Sequence, residues 1–252
     1  MAAPRVALQL YTVRDDLARD YAGTLCAVAA LGYPAVQFAL GYGGMDAAAL
    51  RSLLDDLGMA VAGNHIILER LESHLAEEID FNLALGNRDI ICPWLRPELR
   101  TEGFYRSFPD ILNRIGRACH ERGARFHYHN HEFEFVRFDD QFAMDYLLQR
   151  TDPRYVLFEP DVYWLKVAGM EPADYIRQYH GRCPYIHLKD MTGDHFATYA
   201  EVGAGIINFG PIFAASEAGG AEWYVVEQDT CRGPAIESVR ISLESLRRWG
   251  KL

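Results

Sequence analysis

Short runs of aliphatic, β-branched and aromatic residues alternate along the chain with longer segments in which apolar positions recur every three to four residues. The first run, at 6–10, is followed by a segment at 15–31 whose apolar positions fall on one face of a helix. Gly32 comes directly after this segment and indicates the end of the helix. The start of the chain therefore predicts a strand followed by an amphipathic helix.

The same strand-then-helix pattern recurs seven more times. The further predicted strands lie at 35–38, 60–65, 89–93, 125–131, 155–159, 185–189 and 223–227. The helices that follow them are predicted at 46–58, 67–85, 103–122, 140–150, 171–180, 208–218 and 234–249. Eight such units of about 30 residues each predict an α/β fold, a (β/α)8 TIM barrel.

A doubly wound parallel sheet is the alternative topology, but it normally has fewer units and often a glycine-rich first turn. The first turn of this chain, at 11–14, contains no glycine. No linker of low complexity and no clear shift in composition divides the chain. We therefore expect one domain over residues 1–252, a length at which an α/β barrel commonly forms a single domain.

Composition narrows the classes of partner. The formal net charge of −10 argues against nucleic acid, which usually needs a basic face, although a small basic pocket stays compatible with it. No stretch has the apolar length of a membrane span, and the N-terminal residues do not have the pattern of a signal peptide. The five cysteines are scattered without a CxxC pair, which indicates reduced thiols. We expect a soluble, cytoplasmic protein.

Candidate chemistry begins with three alternating histidines, His127, His129 and His131, in the run FHYHNHEFEF at 126–135. Because successive side chains of a strand point to opposite faces, an extended segment here places all three imidazoles on one side. Taken alone, the triplet fits ordinary histidines on a partly exposed strand better than a metal site. Four other histidines are expected to be surface groups: His74, His120, His180 and His195.

Four consecutive predicted strands end in side chains that suit a metal site. They are His129 and His131 on the fifth strand, Glu159 and Asp161 on the sixth, His187 and Lys189 on the seventh, and Glu227 and Asp229 on the eighth. In a TIM barrel the chemistry lies at the carboxyl ends of the strands, so these groups should meet on one arc of the rim. A mixture of imidazoles and carboxylates suits manganese, cobalt, zinc or iron better than calcium.

The chain also resembles a known family, the xylose-isomerase-like barrels of sugar phosphate isomerases and epimerases, which include inosose dehydratase and the endonuclease IV type of repair enzyme. The resemblance covers nearly the whole chain. It rests on the motifs LQLYTVRD at 8–15, YHNHEFEF at 128–135, EPDVYW at 159–164, IHLKD at 186–190 and VEQD at 226–229. These motifs are fairly specific for the superfamily and say much less about the substrate.

The resemblance implies one divalent metal ion (manganese, cobalt, zinc, iron or magnesium), held in the family by a Glu, an Asp, a His and a Glu on strands 5 to 8. The last three correspond to Asp161, His187 and Glu227. On strand 5, His129 occupies the usual glutamate position, so we expect His129 as the fourth ligand. Glu134, in the loop that follows, is expected to take part in catalysis or to contact the substrate or the metal ligands; the alternative is that it folds back and replaces the missing glutamate.

The same site suggests how a sugar or cyclitol substrate would be handled. We expect Glu227 to act as the base that removes a carbon-bound proton, with Lys189 polarising a carbonyl or a leaving hydroxyl. Four further residues at or near strand ends are expected to contact the substrate: Tyr11, His65, His131 and Trp164.

Four candidate functions are weighed against these expectations. The leading one is a divalent-metal-dependent sugar isomerase or epimerase that abstracts a proton next to a carbonyl through an enediolate. Its alternative is a metal-dependent dehydratase or lyase of a keto-sugar, keto-glycoside or inosose. Phosphodiester cleavage is disfavoured by the acidic charge and the number of ligands, whereas the change at His129 leaves a non-catalytic sugar-binding barrel open. A homo-oligomer is compatible with each.

Overall fold

A computed structural model describes residues 3–138, 140–193 and 198–252. Its central element is an eight-stranded parallel sheet that curves into a nearly closed barrel. The strands are β1 (Arg5–Gln9), β2 (Ala35–Phe38), β3 (Ala60–His65), β4 (Asp89–Cys92), β5 (Arg125–His129), β6 (Val156–Glu159), β7 (Tyr185–Leu188) and β8 (Trp223–Val226). The TIM barrel predicted from the hydrophobic pattern is thereby confirmed.

The strands are ordered β6-β5-β4-β3-β2-β1-β8-β7. Between β6 and β7 the ladder is reduced to a parallel bridge that joins Asp161 to His187. The backbone N–H of His187 donates to the carbonyl of Pro160 at 2.9 Å, and the N–H of Phe158 donates to the carbonyl of Arg182 at 2.9 Å. The carboxyl ends of β5, β6, β7 and β8 therefore lie side by side on one arc of the barrel.

Helices surround the barrel in the described ranges. They are α1 (Arg14–Arg19), α2 (Tyr21–Leu31), α3 (Ala47–Asp56), α4 (Leu68–Ala84), α5 (Glu102–Glu121), α6 (Ala143–Arg150), α7 (Val162–Val167), α8 (Pro172–Gln178), α9 (Phe209–Ala218) and α10 (Ala235–Arg248). None of them has both the length and the apolar character that crossing a bilayer requires.

Two predicted elements differ from the structure. The segment predicted as one helix at 15–31 is divided at Asp20, whose side chain accepts the N–H of Gly23 and so begins α2. The strand predicted at 125–131 ends at His129, and a turn of 3-10 helix follows at Phe133–Phe135. Short antiparallel pairs complete the loops: Arg137–Phe138 with Gln141–Phe142, and Asp190–Met191 with Tyr199–Ala200.

Inward-facing positions of the strands form layers along the barrel axis, because alternate residues point into the barrel. At the amino-terminal end, Arg125 donates to Asp89 at 2.6 Å and to Glu222 at 2.6 Å, and Nε2 of His127 lies 2.8 Å from Oδ1 of Asp89. Next to this polar layer lies a small apolar cluster: Ala7, Ala35, Ala62, Tyr185, Trp223 and Val225. The large apolar core packs between the strands and the helices. Polar side chains are thus left to fill the carboxyl end of the interior.

A close contact between α5 and the start of β6 gives a test of this packing. A Cβ added to Gly116 would lie 2.3 Å from the carbonyl oxygen of Tyr155, whereas a Cβ on Gly103 of the same helix meets nothing within 4 Å. We expect Gly116→Ala to lower the free energy of unfolding by about 1–3 kcal/mol through overpacking. Gly103→Ala should leave it unchanged or raise it by up to about 1 kcal/mol. Urea denaturation measures both, and equal stability of the two variants would contradict the assigned contact.

Candidate metal centre and active site

Four side chains that can bind a metal meet at the carboxyl ends of β5 to β8. His129 ends β5, Asp161 follows β6, His187 lies on β7 and Glu227 follows β8. One donor atom from each lies within 4.8 Å of the donor atoms of the others. All four are buried, and Glu227, the most accessible, is 5% exposed. The structure therefore brings together the four residues that the sequence suggested as ligands; we call them the upper group.

Asp161 shows how well this group fits a cation. Its Oδ1 atom accepts the N–H groups of Tyr163 at 2.9 Å and Trp164 at 3.1 Å, which caps α7. Its Oδ2 atom is buried and accepts no hydrogen bond from the described residues, although it lies 3.2 Å from Nζ of Lys189. Burial raises the pKa of Asp161 to about 6. A divalent ion would satisfy this carboxylate oxygen, so the donor set fits a metal.

Lys189 lies among the carboxylates at the base of the site. Its buried Nζ atom is 2.9 Å from Oε2 of Glu227 and 2.8 Å from Oδ1 of Asp229, in addition to its contact with Asp161. Burial opposes the charged form, but these carboxylates hold the pKa of Lys189 well above its ordinary value. The residue therefore keeps its positive charge.

A second group of donors shares His129 and His187 with the upper group and adds His65 and Glu159; we call it the lower group. Glu159 is wholly buried, and its Oε1 accepts a 2.7 Å hydrogen bond from Nε2 of Gln37. Its Oε2 lies 2.7 Å from Nε2 of His65, 3.1 Å from Nδ1 of His129 and 3.2 Å from Nε2 of His187. Burial disfavours ionisation, yet the neighbouring histidines hold the pKa of Glu159 well below its usual range.

The two histidines that the groups share differ in charge. Burial lowers the pKa of His129 to about 3, so the ring is neutral at physiological pH. Burial also opposes charge on His187, but Glu159 and Glu227 raise its pKa to about 10. A protonated His187 thus lies between these two carboxylates, and a divalent ion that binds its Nδ1 atom must displace a proton there.

A cavity of about 880 Å³ opens above the upper group. Its volume lies within the range of small-molecule sites, roughly 300–1,000 Å³. The residues expected to contact a substrate all line it: Tyr11, His65, His131 and Trp164. Glu227, Lys189, His129 and Asp229 form part of the same wall, and Trp94, Arg100 and Phe133 line it too.

Glu134 lies outside this cavity and outside both donor groups. It is wholly buried in the 3-10 turn, where Oε1 accepts the hydroxyl of Tyr128 at 2.6 Å and Oε2 accepts the N–H of His131 at 2.7 Å. Burial raises the pKa of Glu134 to about 8. The sequence predicts Glu134 at the substrate or among the metal ligands. The structure brings it to neither, because its carboxylate anchors the backbone that follows β5.

The three alternating histidines lie at three levels of the barrel. His127 belongs to the amino-terminal polar layer with Asp89, and His129 belongs to both donor groups. His131 follows β5 in the cavity wall, where its ring centroid lies 5.2 Å from that of Phe133 and 5.1 Å from that of Trp164. Among the other histidines, His74, His120 and His180 are exposed, and His195 lies outside the described residues.

Sequence reasoning missed Gln37 and gave no separate function to Glu159. Gln37 is a buried amide in the otherwise apolar strand Ala35–Phe38. That polar residue in an apolar run was the available signal, because a buried amide needs hydrogen-bond partners. Its contact with Glu159 joins residues 122 positions apart, which no local pattern indicates.

Comparisons with known proteins agree with the fold. Residues 25–249 match the family model described as xylose isomerase-like TIM barrel. An inosose dehydratase from Geobacillus thermodenitrificans is 28% identical over 144 residues, 50% of this chain and 47% of the relative. One from Geobacillus kaustophilus is 27% identical over 252 residues, 84% of this chain and 80% of the relative. The structure of a sugar phosphate isomerase/epimerase from Parabacteroides distasonis superposes with a TM-score of 0.84 at 23% identity, covering 97% of this chain and 98% of that one.

The charge of Lys189 can be tested through stability. In metal-free protein at pH 8 we expect Lys189→Met to lower the free energy of unfolding by about 3–5 kcal/mol, because it leaves buried carboxylates without their cation. Without the ammonium, the carboxyl pKa values in the folded protein rise above those in the unfolded chain. The folded protein then retains protons that the unfolded chain has released, so the loss should be smaller at pH 5 than at pH 8.

Urea denaturation in EDTA at the two pH values measures this difference. Lys166→Met is the matched control, because Lys166 pairs with Glu171 at 3.0 Å on the exposed surface. We expect its effect to stay within about 0.5 kcal/mol at both pH values. An equal loss for Lys189→Met at pH 5 and pH 8 would mean that packing, and not charge, explains the contribution of Lys189.

Proposed function

The chain belongs to the xylose isomerase-like TIM barrel family, and on that premise we propose that it is a metal-dependent carbohydrate enzyme. It removes a proton next to a carbonyl group of a sugar or cyclitol and then eliminates a β-hydroxyl group, as a dehydratase or lyase. The observation that carries the proposal is the position of Glu227 and Lys189 on the cavity wall, 2.9 Å apart and next to a donor set that fits a metal.

The upper group, His129, Asp161, His187 and Glu227, would hold one divalent ion. Manganese, cobalt, zinc, iron and magnesium all remain candidates for a site of two imidazoles and two carboxylates. When bound, the ion supplies Lewis-acid stabilisation of the negative charge that develops on the substrate oxygen as the proton leaves. The Oδ2 atom of Asp161, which accepts no hydrogen bond from the described residues, and the shared burial of the four donors support this assignment.

Glu227 is the proposed base. Burial disfavours its ionised form, but Lys189 and His187 hold the pKa of Glu227 well below its usual range, so it is ionised and can accept a proton. Lys189 keeps a buried positive charge on the same wall, where it polarises the carbonyl or the leaving hydroxyl. Asp229, which also lines the cavity, fixes the ammonium through its 2.8 Å contact with Nζ.

Elimination is favoured over epimerisation by the residue at the end of β5. A two-base epimerisation needs a second proton carrier on the opposite face of the substrate. The family places a carboxylate on this strand, whereas here the position holds His129, whose Nδ1 contacts Glu159 at 3.1 Å. Because His129 would hold the ion through Nε2 and donates from Nδ1 to Glu159, neither nitrogen would be available to exchange a proton with a substrate carbon. The relatives named inosose dehydratase support the same choice.

An isomerase or epimerase is the second candidate, and the observation that favours it concerns His131. This ring lies in the cavity wall on the β5 side, away from the β8 end that carries Glu227. Burial holds the pKa of His131 well below its ordinary value, so the ring is neutral. A neutral imidazole has one nitrogen with a free lone pair, so His131 can accept a proton from the substrate carbon on that side of the cavity and return it there.

Solvent-deuterium experiments test both candidates. Protein loaded with Mn²⁺ is incubated in deuterium oxide with a panel of ketoses, keto-glycosides and inososes, and the products are followed by NMR and by ultraviolet absorbance. Loss of a hydroxyl with appearance of an enone supports elimination. Deuterium incorporation with inversion or a carbonyl shift supports the second candidate. Binding without either reaction, or a wild type that takes up no divalent ion, would refute the proposed activity.

The base assignment makes a separate prediction. We expect Glu227→Gln at saturating metal to lower kcat by about 10²–10⁴-fold, because the amide cannot accept the carbon-bound proton. Glu132→Gln is the matched control, since Glu132 lines the same cavity without belonging to either donor group. We expect its kcat to stay within a few-fold of wild type. A Glu227→Gln enzyme with wild-type kcat would exclude Glu227 as the base.

A further inference from the structure

His129 and His187, which belong to both donor groups, contact Glu159 through different ring nitrogens. For His129, Nδ1 lies 3.1 Å from Oε2 of Glu159 and Nε2 lies 3.8 Å from Oδ2 of Asp161. For His187 the nitrogens are reversed: Nε2 lies 3.2 Å from Oε2 of Glu159 and Nδ1 lies 3.0 Å from Oε2 of Glu227. One carboxylate therefore contacts one nitrogen of each ring, and the remaining nitrogens face the upper group.

The chemistry of imidazole limits how such rings can be used. A neutral ring has one N–H donor and one nitrogen with a free lone pair, and only the latter can bind a metal. A carboxylate that accepts the N–H fixes both the tautomer and the orientation of the ring. Glu159 is therefore placed to decide which nitrogen of His129 and His187 is available to an ion.

The tautomer of His187 also follows from a chain of hydrogen bonds that starts at the backbone. The N–H of Tyr11 donates to Oε1 of Gln9 at 3.1 Å, so the other end of that amide is Nε2. This Nε2 donates to Oε1 of Gln37 at 2.6 Å. The same oxygen lies 2.8 Å from Nε2 of His187. Because an amide oxygen only accepts, Nε2 of His187 must carry a hydrogen, which leaves Nδ1 for the ion.

The two donor groups differ in whether their carboxylate oxygens already accept hydrogen bonds. In the lower group, Glu159 is wholly buried, does not line the cavity and accepts from Gln37 as well as contacting histidine nitrogens. In the upper group, Oδ2 of Asp161 has no hydrogen-bond donor among the described residues, and Glu227 lines the cavity. An ion that must reach substrate therefore belongs with the upper group.

We propose that Glu159 is a positioning residue shared by two metal ligands, which it holds with Nε2 of His129 and Nδ1 of His187 directed at the upper group. The inference rests on the proposed metal site and deepens it. The lower group is then a hydrogen-bonded support for the upper one, and it binds no ion of its own. The proposal also implies opposite tautomers for the two ligands, with N–H at Nδ1 of His129 and at Nε2 of His187.

Metal affinity tests the proposal through Glu159→Gln, which keeps the shape of the side chain and removes its charge. We expect this variant to bind Mn²⁺ about 10–100-fold more weakly than wild type, measured by isothermal titration calorimetry. Asp89→Asn is the matched control, because Asp89 is also a buried carboxylate 2.8 Å from a histidine, His127, but that ring is no ligand. We expect wild-type affinity for this control.

The outcomes separate the two proposals. If wild type binds no Mn²⁺, the proposed metal-dependent function fails. If wild type binds Mn²⁺ and Glu159→Gln binds it equally well, the positioning proposal alone is overturned. Circular dichroism and thermal unfolding in EDTA establish that each variant is folded, so that weak binding by an unfolded chain is not counted as support.

A measurement on the wild type keeps the proposal testable even if Glu159→Gln does not fold. In protein labelled with ¹⁵N-histidine and loaded with Zn²⁺, long-range ¹H–¹⁵N spectra report which nitrogen of each ring carries hydrogen. We expect opposite tautomers for His129 and His187 in the metal-bound protein. Identical tautomers, or Zn²⁺ bound through Nδ1 of His129, would overturn the proposed function of Glu159.

Discussion

Burial of three carboxylates at the carboxyl end of one barrel is the constraint on which the rest of this site depends. Glu159, Asp161 and Glu227 are each at most 5% exposed; Glu159 ends β6, Asp161 follows the same strand, and Glu227 follows β8. Charges removed from water must be balanced by partners, because their desolvation costs several kcal/mol each. Lys189 gives Asp161 a positively charged partner, and the buried Gln37 donates a hydrogen bond to Glu159. The proposed ion completes this balance.

The parallel arrangement of the strands explains why these buried carboxylates and their partners collect at one end of the barrel. Alternate residues of each strand face inward, so layers of the interior are filled by residues of similar height from different strands. The amino-terminal layer closes on itself through Arg125, Asp89 and Glu222. The apolar cluster that includes Tyr185 and Trp223 packs beside that layer, where the ring centroid of Tyr185 lies 5.0 Å from that of His127. Chemistry is thereby confined to the end that opens into the cavity.

The hydrophobic pattern was sufficient to predict the barrel. The expectation that chemistry lies at the carboxyl ends of the strands placed Asp161, His187 and Glu227 on one arc. The details that escaped prediction depend on contacts between distant residues. Glu134 was expected near the substrate, but the hydroxyl of Tyr128 and the N–H of His131 hold it elsewhere. Nothing in the local sequence indicates that a carboxylate five residues beyond β5 accepts the hydroxyl of Tyr128 and a backbone N–H just after the strand. The support of the histidines by Glu159 likewise depends on the closure of the barrel.

The two oxygens of Asp161 give one side chain two partners of different kinds. Oδ1 fixes the first turn of α7, which carries Trp164 into the cavity wall, while Oδ2 faces the upper group. The shape of the cavity wall and the position of a donor for the proposed ion thus depend on the same carboxylate. Asparagine could cap the helix without offering a second anionic oxygen, and glutamate would offer the charge from a longer stem. Aspartate combines both properties, so a substitution at this position would alter the start of α7 and the donor group together.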